Sequence, residues 1–282
     1  MRTLIVGGRS SLAQALGPKL AGFSEVLTAG RVGCDRVLDL NSDGLELDLP
    51  AGVDVVVNTA SHFGGNSGDA IRQAVEVNVR APLALSDACL RAGVKHFVHV
   101  SSIFSLLDSG SPFFSVYALT KRQGDELLQS HCAAVGLPLA IVRPSQFYGA
   151  GAATRRHQPF FTALIDKAER GEDIELFGSH DARRNFIHVE DVAEAVYRVV
   201  EHGVTGVYAC QYPADIGYAE IAREAIRSFG SASVVRFRPD KPDILDNTLP
   251  IDGTALERIG FRPQISMAQG MVREALHRRG GA

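Results

Sequence analysis

Short apolar runs alternate with longer amphipathic stretches through the first two thirds of the chain. Leu4–Val6, Glu25–Thr28, Val53–Asn58, His96–Val100 and Leu139–Val142 are strand-length and mostly apolar, as expected of strands buried on both faces of a parallel sheet. Between them, Leu12–Leu20, Ile71–Arg91 and Val116–Ala134 repeat apolar residues at helical spacing. Strand, helix and strand in this succession predict an α/β fold, a doubly wound parallel sheet whose ligand lies outside the carboxyl ends of the strands. Gly7, Arg31, Asn58, Ser102 and Arg143 all fall at such ends.

After Arg143-Pro144 the rhythm breaks. A glycine-rich turn at Gly149–Gly151 leads to a helix around Phe160–Arg170 and a strand at Ile174–Phe177, and a helix at Val189–Glu201 with a strand at Gly206–Cys210 reads as a return to the sheet. From Tyr212 onward, proline punctuates a mixed region with helices near Tyr218–Ser228, Gly253–Ile259 and Met267–Arg278. The expected organisation is a dinucleotide-type domain over 1–150 with 186–210 returning to it. A smaller interleaved C-terminal lobe, 151–282, mainly 151–185 and 211–282, is expected to cap the cleft and carry substrate contacts.

The 282 residues, 45% of them hydrophobic, suffice for one large core or two smaller ones. A net charge of −3 gives no sign of a nucleic-acid or membrane partner. Cys34, Cys89, Cys132 and Cys210 lie far apart with no paired spacing and no histidine pattern beside them, so neither a metal site nor a disulfide framework is expected. They read as reduced thiols of a cytoplasmic protein. The apolar run at the N-terminus is too short for a signal peptide, and no later run approaches the length of a membrane span.

Chemistry enters first at the end of the first strand, where the chain reads Val6-Gly7-Gly8-Arg9-Ser10-Ser11-Leu12-Ala13. A dinucleotide fold needs small residues there so that a pyrophosphate can approach the helix N-terminus and meet backbone N–H groups. The spacing Gly7-x-x-Ser10-x-x-Ala13 keeps only the first glycine of that fingerprint, and an ordinary tight turn would read similarly. The second strand ends in Thr28-Ala29-Gly30-Arg31. A carboxylate there suits the ribose hydroxyls of NAD and a cation suits the 2′-phosphate of NADP, so Arg31, with Arg9, favours NADP, while Asp35 keeps NAD open. Asp39-Leu40 offers a carboxylate for the adenine amino group or a simple turn cap.

Tyr117 and Lys121 stand four positions apart in a helical stretch, and Ser102 ends a buried strand fifteen residues before the tyrosine. That offset puts phenol and ammonium on one helix face, although the same pair also occurs as a solvated couple on surface helices. An ammonium beside a phenol is expected to lower its pKa, and a drop of roughly three units from about 10 corresponds to about 4 kcal/mol. Ser102 is then placed to hold a substrate oxygen while Tyr117 protonates it.

These residues together resemble the extended short-chain dehydrogenase/reductases of the NAD-dependent epimerase/dehydratase group, most of which act on nucleotide-linked sugars. The resemblance runs from the glycine turn through Asn58-Thr59-Ala60-Ser61, Val77-Asn78-Val79, Ser101-Ser102, Tyr117-x-x-x-Lys121, Arg143-Pro144, Arg184–Ala193 and Asp252–Pro263. It implies a Rossmann fold with Ser102, Tyr117 and Lys121 as the catalytic set. Cofactor contacts are implied at Gly7, Arg9, Ser10, Ser11, Leu12, Arg31, Asp39, Leu40, Ala60, Tyr117, Lys121 and Pro144. Substrate contacts are implied at Ser102, Gln146 and Arg184, the last on a nucleotide diphosphate; the basic pair Arg155-Arg156 could assist but reads better as a solvated loop.

Members that dehydrate a hexose place an Asp-Glu pair directly after the catalytic hydroxyl, and here Ile103 and Phe104 occupy those positions. Without an acid and a base the elimination is not expected. Reduction and epimerisation use the same remaining set. Because NADPH suits net reduction, the expectation is a nucleotide-sugar ketoreductase, with an epimerase as the alternative and a non-catalytic dinucleotide sensor as a rival of another class. The resemblance also implies a homodimer formed through the helices of Asn78–Arg91 and Tyr117–Cys132, with Leu83, Leu85, Ala88 and Leu90 offering apolar surface.

Overall fold

The structure, a computed structural model, describes residues 1–41, 47–149 and 157–280. Its main sheet contains seven strands, all paired in parallel. The first six are β1 (Arg2–Val6), β2 (Glu25–Gly30), β3 (Arg36–Val37), β4 (Val55–Asn58), β5 (His96–Val100) and β6 (Leu139–Pro144), and the seventh is Gly206–Cys210. Their spatial order, β3-β2-β1-β4-β5-β6 followed by the seventh strand, reverses direction between β1 and β4. A doubly wound sheet opens its ligand crevice at that reversal, outside the carboxyl ends. Val6 is in register with Asn58 across it, so Gly7 and Thr59 leave the sheet side by side.

Helices α1 (Ser11–Leu20), α2 (Gly68–Val75), α3 (Ala81–Ala92) and α4 (Val116–Val135) belong to the same part of the chain. The expected single helix over 71–91 is instead α2, a π-helical turn at Glu76–Arg80 and α3, in which the Ala81 N–H bonds to the Glu76 carbonyl. A hydrophobic period cannot register a turn that absorbs one extra residue. Strand β2 runs two residues past its expected end, and β4 begins at Val55 rather than Val53.

Contacts divide the chain into two compact units. The first comprises Met1–Pro144, Ala193–Cys210 and Gly253–Arg262, and the second Ser145–Val192, Gln211–Asp252 and Pro263–Ala282. Phe186–His188, expected to return to the dinucleotide-type domain, pair in parallel with Gln146–Tyr148 inside the second unit. The core of the first unit joins Leu4, Val6, Val56, Phe97 and Leu128, and that of the second joins Phe161, Ile165, Ile174, Phe186 and Ile221. Leu85 and Ala88, expected to offer surface for dimerisation, are core residues of the first unit, and Leu83 packs against them. Only Leu90 of that group is exposed, because the α3 face carrying Leu85, Ala88 and Cys89 is the one turned to the core.

All four cysteines are free; Cys34 is half-buried and the others are buried. Among the described residues no helix is long and apolar enough to cross a membrane, and no cluster of His, Cys, Asp and Glu could hold a metal ion.

Candidate active site

The turn after β1 is built for close approach of a ligand. Gly7 has φ +81°, and a Cβ there would stand 2.8 Å from the Ala60 backbone nitrogen. Any other residue would thus meet both a strained backbone and a clash. Gly8 is constrained by space alone, since its Cβ would fall 2.6 Å from the Thr28 Cβ. The need for Gly8 was visible only as a second consecutive glycine. Ser10 caps α1, its Oγ accepting from the Ala13 N–H at 3.0 Å, and it also bonds the Thr59 hydroxyl at 2.9 Å. Ser11 and Leu12 open the helix immediately behind this cap, both buried. Serine thus serves as an N-cap where the familiar fingerprint has glycine, and buried Ala13 packs where the next glycine would. The small turn, the helix N-terminus and the adjoining Ala60 fit the pyrophosphate of a dinucleotide.

At the end of β2 the candidate ribose-binding groups separate. Asp35 Oδ2 accepts from both the backbone N–H and the hydroxyl of Thr28, each at 2.8 Å. Those Thr28 bonds, the backbone one first, hold its carboxyl below the usual carboxylate range. Arg9 and Arg31 are exposed, and the Arg9 guanidinium lies over Gly33, with Nη1 3.6 Å from where a Cβ there would sit. Asp39 is exposed and accepts from the Asn41 N–H at 3.0 Å as a turn cap, and Leu40 is buried in the core. Pro144 closes β6 and is buried.

Ser102 lies two residues beyond β5 and caps a short 3-10 turn, Ile103–Leu106, through a 3.2 Å bond from the Phe104 N–H to its Oγ. Tyr117 opens α4 one residue behind Val116, after the Ser115 cap. Burial pushes the Tyr117 phenol up, while hydrogen bonds with Ser102 and then Ser61 pull it down and the Asp125 carboxylate pushes it further up. The expected lowering by Lys121 is therefore corrected: desolvation sets the direction. Lys121 itself is almost fully buried, donates from Nζ to the Val100 carbonyl at 3.1 Å, and is pushed down to about 8, mainly by burial.

One further helical turn along, buried Asp125 pairs with Arg143 of β6, Nε to Oδ2 at 2.7 Å. Tyr117, Lys121 and Asp125 thus form a stripe at four-residue spacing. Two groups missed in the sequence complete the surroundings of Tyr117. One is the Ser61 hydroxyl, and the other is the Phe63 ring, stacked on the tyrosine ring at 5.0 Å between centroids and 15° between planes. Phe104 meets it edge-on at 6.5 Å. The segment carrying Ser61 and Phe63 has no periodic pattern, so only its place after β4 signalled it.

The expected substrate residues Gln146 and Arg184 both lie in the second unit. Gln146 is half-buried and bonds the Gln158 side-chain oxygen at 3.1 Å. Arg184 is buried, lies 5.3 Å from the centre of the Tyr218 ring, and donates from Nη1 to the carbonyls of Arg183 and Leu245 at 2.8 and 2.7 Å. Its neighbour Asn185 clamps the Tyr212 backbone, accepting from the N–H at 3.0 Å and donating to the carbonyl at 2.9 Å. A carboxylate could make only the first of these bonds. Arg155 and Arg156 lie outside the described residues.

The model of the family described as NAD dependent epimerase/dehydratase matches residues 29–210. The chain is 30% identical over 240 residues to a dTDP-glucose 4,6-dehydratase of Streptomyces griseus, spanning 79% of this chain and 70% of that protein. It is 27% identical over 239 residues to a dTDP-4-dehydro-6-deoxy-D-allose reductase of a Streptomyces species, spanning 77% and 72%. Among solved structures, the UDP-glucose 4-epimerase of Thermus thermophilus, in complex with NAD, superposes with a TM-score of 0.78 at 21% identity over the full length of both chains. The family match takes in β4, β5 and the whole of α4, and on it the chain belongs to the NAD-dependent epimerase/dehydratase family, as an enzyme of the NAD(P)-dependent short-chain dehydrogenase/reductase type.

Proposed function

We propose that this enzyme is an NADPH-dependent ketoreductase of a nucleotide-linked keto-sugar. The observation that carries the reading is the surroundings of Tyr117: two hydroxyls at its phenol and two phenylalanine rings on its ring, with Ile103 and Phe104 where an elimination would need an acid and a base. Asp125, farther along the same helix face, is already paired with Arg143.

Gly7, Ser10 and Ala60 would hold a reduced nicotinamide dinucleotide, which when bound would supply hydride for the carbonyl carbon. Tyr117 gives its phenolic proton to the carbonyl oxygen, and Ser102 donates a hydrogen bond to the same atom. The phenolate left behind would accept a hydrogen bond from the Ser61 hydroxyl, and Lys121, one helical turn along α4, is assigned to the cofactor side. A phenol pushed up by burial holds its proton, the state from which a reduction starts. The NADP preference rests on Asp35, whose Oδ2 is engaged with Thr28 while Arg9 and Arg31 remain exposed beside the same turn. The diphosphate is assigned to Arg184 and a sugar contact to Gln146. A homodimer through α3 and α4 accompanies this reading, and light scattering that returned a monomer at working concentration would remove it.

The test is to incubate purified protein with NADPH or NADH and a panel of nucleotide-linked keto-sugars and their alcohols, following cofactor absorbance and product mass. A product heavier by two hydrogens, formed with one equivalent of NADPH, is expected. Interconversion of two epimeric alcohols without net cofactor consumption would establish the epimerase instead.

A further inference from the structure

Phe63 lies on an exposed segment, 45% of its own surface open, yet its ring is nearly parallel to that of Tyr117. The segment is fastened from below. Asn78, fully buried in the π-helical turn, accepts from the His62 N–H at 2.9 Å and donates to the His62 carbonyl at 2.7 Å, fixing both sides of the residue before Phe63. The same Asn78 amide donates to the Thr120 hydroxyl at 3.0 Å, so the clamp is tied to α4 between Tyr117 and Lys121. On the other side, Gly64 has φ +79°, donates its N–H to His62 Nδ1 at 3.1 Å, and would place a Cβ 3.2 Å from the Tyr117 nitrogen. Phe63 is thus held between two fixed neighbours, each tied to the start of α4.

We propose that Phe63 is a positioning residue for the proton donor, its clamped ring holding the Tyr117 ring at a set angle and screening one face from water. The proposal rests on Tyr117 being that donor. An aromatic pair in this offset-stacked range resists rotation of either ring and removes water from the shared face. Proton transfer needs the phenol held within hydrogen-bond reach of the carbonyl oxygen, so angular freedom of the donor would be expressed in turnover more than in binding.

The deciding measurement needs no substrate. The chain has six tyrosines and no tryptophan, so the alkaline absorbance difference between a protein and its Tyr117→Phe partner isolates one phenol. With water admitted to the ring face, Phe63→Ala should move the Tyr117 midpoint down toward the free-phenol value of about 10. Phe63→Tyr, which can still stack, should keep the native midpoint, and Phe63→Leu, which fills the space without stacking, should fall between them. With NADPH and a dTDP-linked 4-keto-6-deoxyhexose, Phe63→Ala should lower kcat about tenfold while KM changes less than about threefold. An unmoved midpoint in Phe63→Ala, or a Phe63→Tyr protein as altered as the alanine variant, would overturn the proposal. If Tyr117→Phe alone kept native turnover, the donor assignment would fall, and the titration would still report whether Phe63 holds the ring.

Discussion

Lys121 carries its charge in a site that excludes water, and this should make the enzyme less stable than a variant without it. Its ammonium is pushed from 10.5 down to about 8, burial outweighing the attraction of Asp125. At about 1.4 kcal/mol for each tenfold in proton affinity, the protonated lysine costs the folded state about 3 kcal/mol. Below pH 8 both folded and unfolded chains hold the proton, so the full penalty applies. Between pH 8 and 10.5 the unfolded chain binds more protons than the folded one, and stability rises with pH until the penalty has gone.

Lys121→Met keeps the length of the side chain, removes the charge and forfeits the bond to the Val100 carbonyl, worth about 1 kcal/mol. The net expectation at pH 7 is a gain of about 2 kcal/mol, or roughly 5 °C in Tm for a chain of this size. Turnover should be lost and cofactor affinity weakened. Thermal melts of both proteins at pH 7 and at pH 9.5 provide the assay, with the native protein closing the gap at the higher pH. A methionine variant that melted below the native protein at pH 7, or an offset identical at both pH values, would refute the reasoning.

Tyr117→Phe should reduce turnover at least about a hundredfold with cofactor affinity unchanged, as rate assays and binding titrations on one preparation will show. Arg31→Ala should weaken NADP binding by about ten- to a hundredfold and NAD binding by less than about twofold; equal losses in calorimetric titrations would move the epimerase ahead of the reductase. Arg184→Ala should raise KM for a nucleotide sugar about a hundredfold with a smaller change in kcat, and should leave reduction of an unphosphorylated keto-sugar, already poor, nearly as it was. A native enzyme equally active on small ketones would leave only a generic short-chain reductase.

The strands β1, β4, β5 and β6 were legible because each is a short apolar run buried on both faces, a property of composition as much as of neighbours. Tyr117 and Lys121 were legible because four-residue spacing on a helix needs no tertiary information. The pKa logic built on them was not. Spacing gives the separation of two groups, whereas the Tyr117 pKa is set by how much water the surrounding chain removes. Ser61 and Phe63 escaped for a related reason, since an irregular segment has no period and its contacts are decided by Asn78 sixteen residues away from His62. Asp35 kept NAD open in sequence, and only the fold reveals that Thr28 engages one of its carboxylate oxygens.

The π-helical turn and Gly124 are two halves of one constraint. A Cβ at Gly124 would collide with the Asn78 carbonyl oxygen, so α4 reaches that turn only where it has no side chain, in the manner of a Cα–H···O contact. Any single replacement at Gly124 would push α4 away from Asn78, while deleting one residue from the turn would restore an ordinary helix and turn the Asn78 amide away from His62. For mutational history this couples the two sites: a side chain at Gly124 requires the 76–80 turn to move. Directed evolution by single substitutions should therefore find the sugar pocket easier to reshape than this junction, and a library aimed at the junction would have to vary Gly124 and the 76–80 turn together.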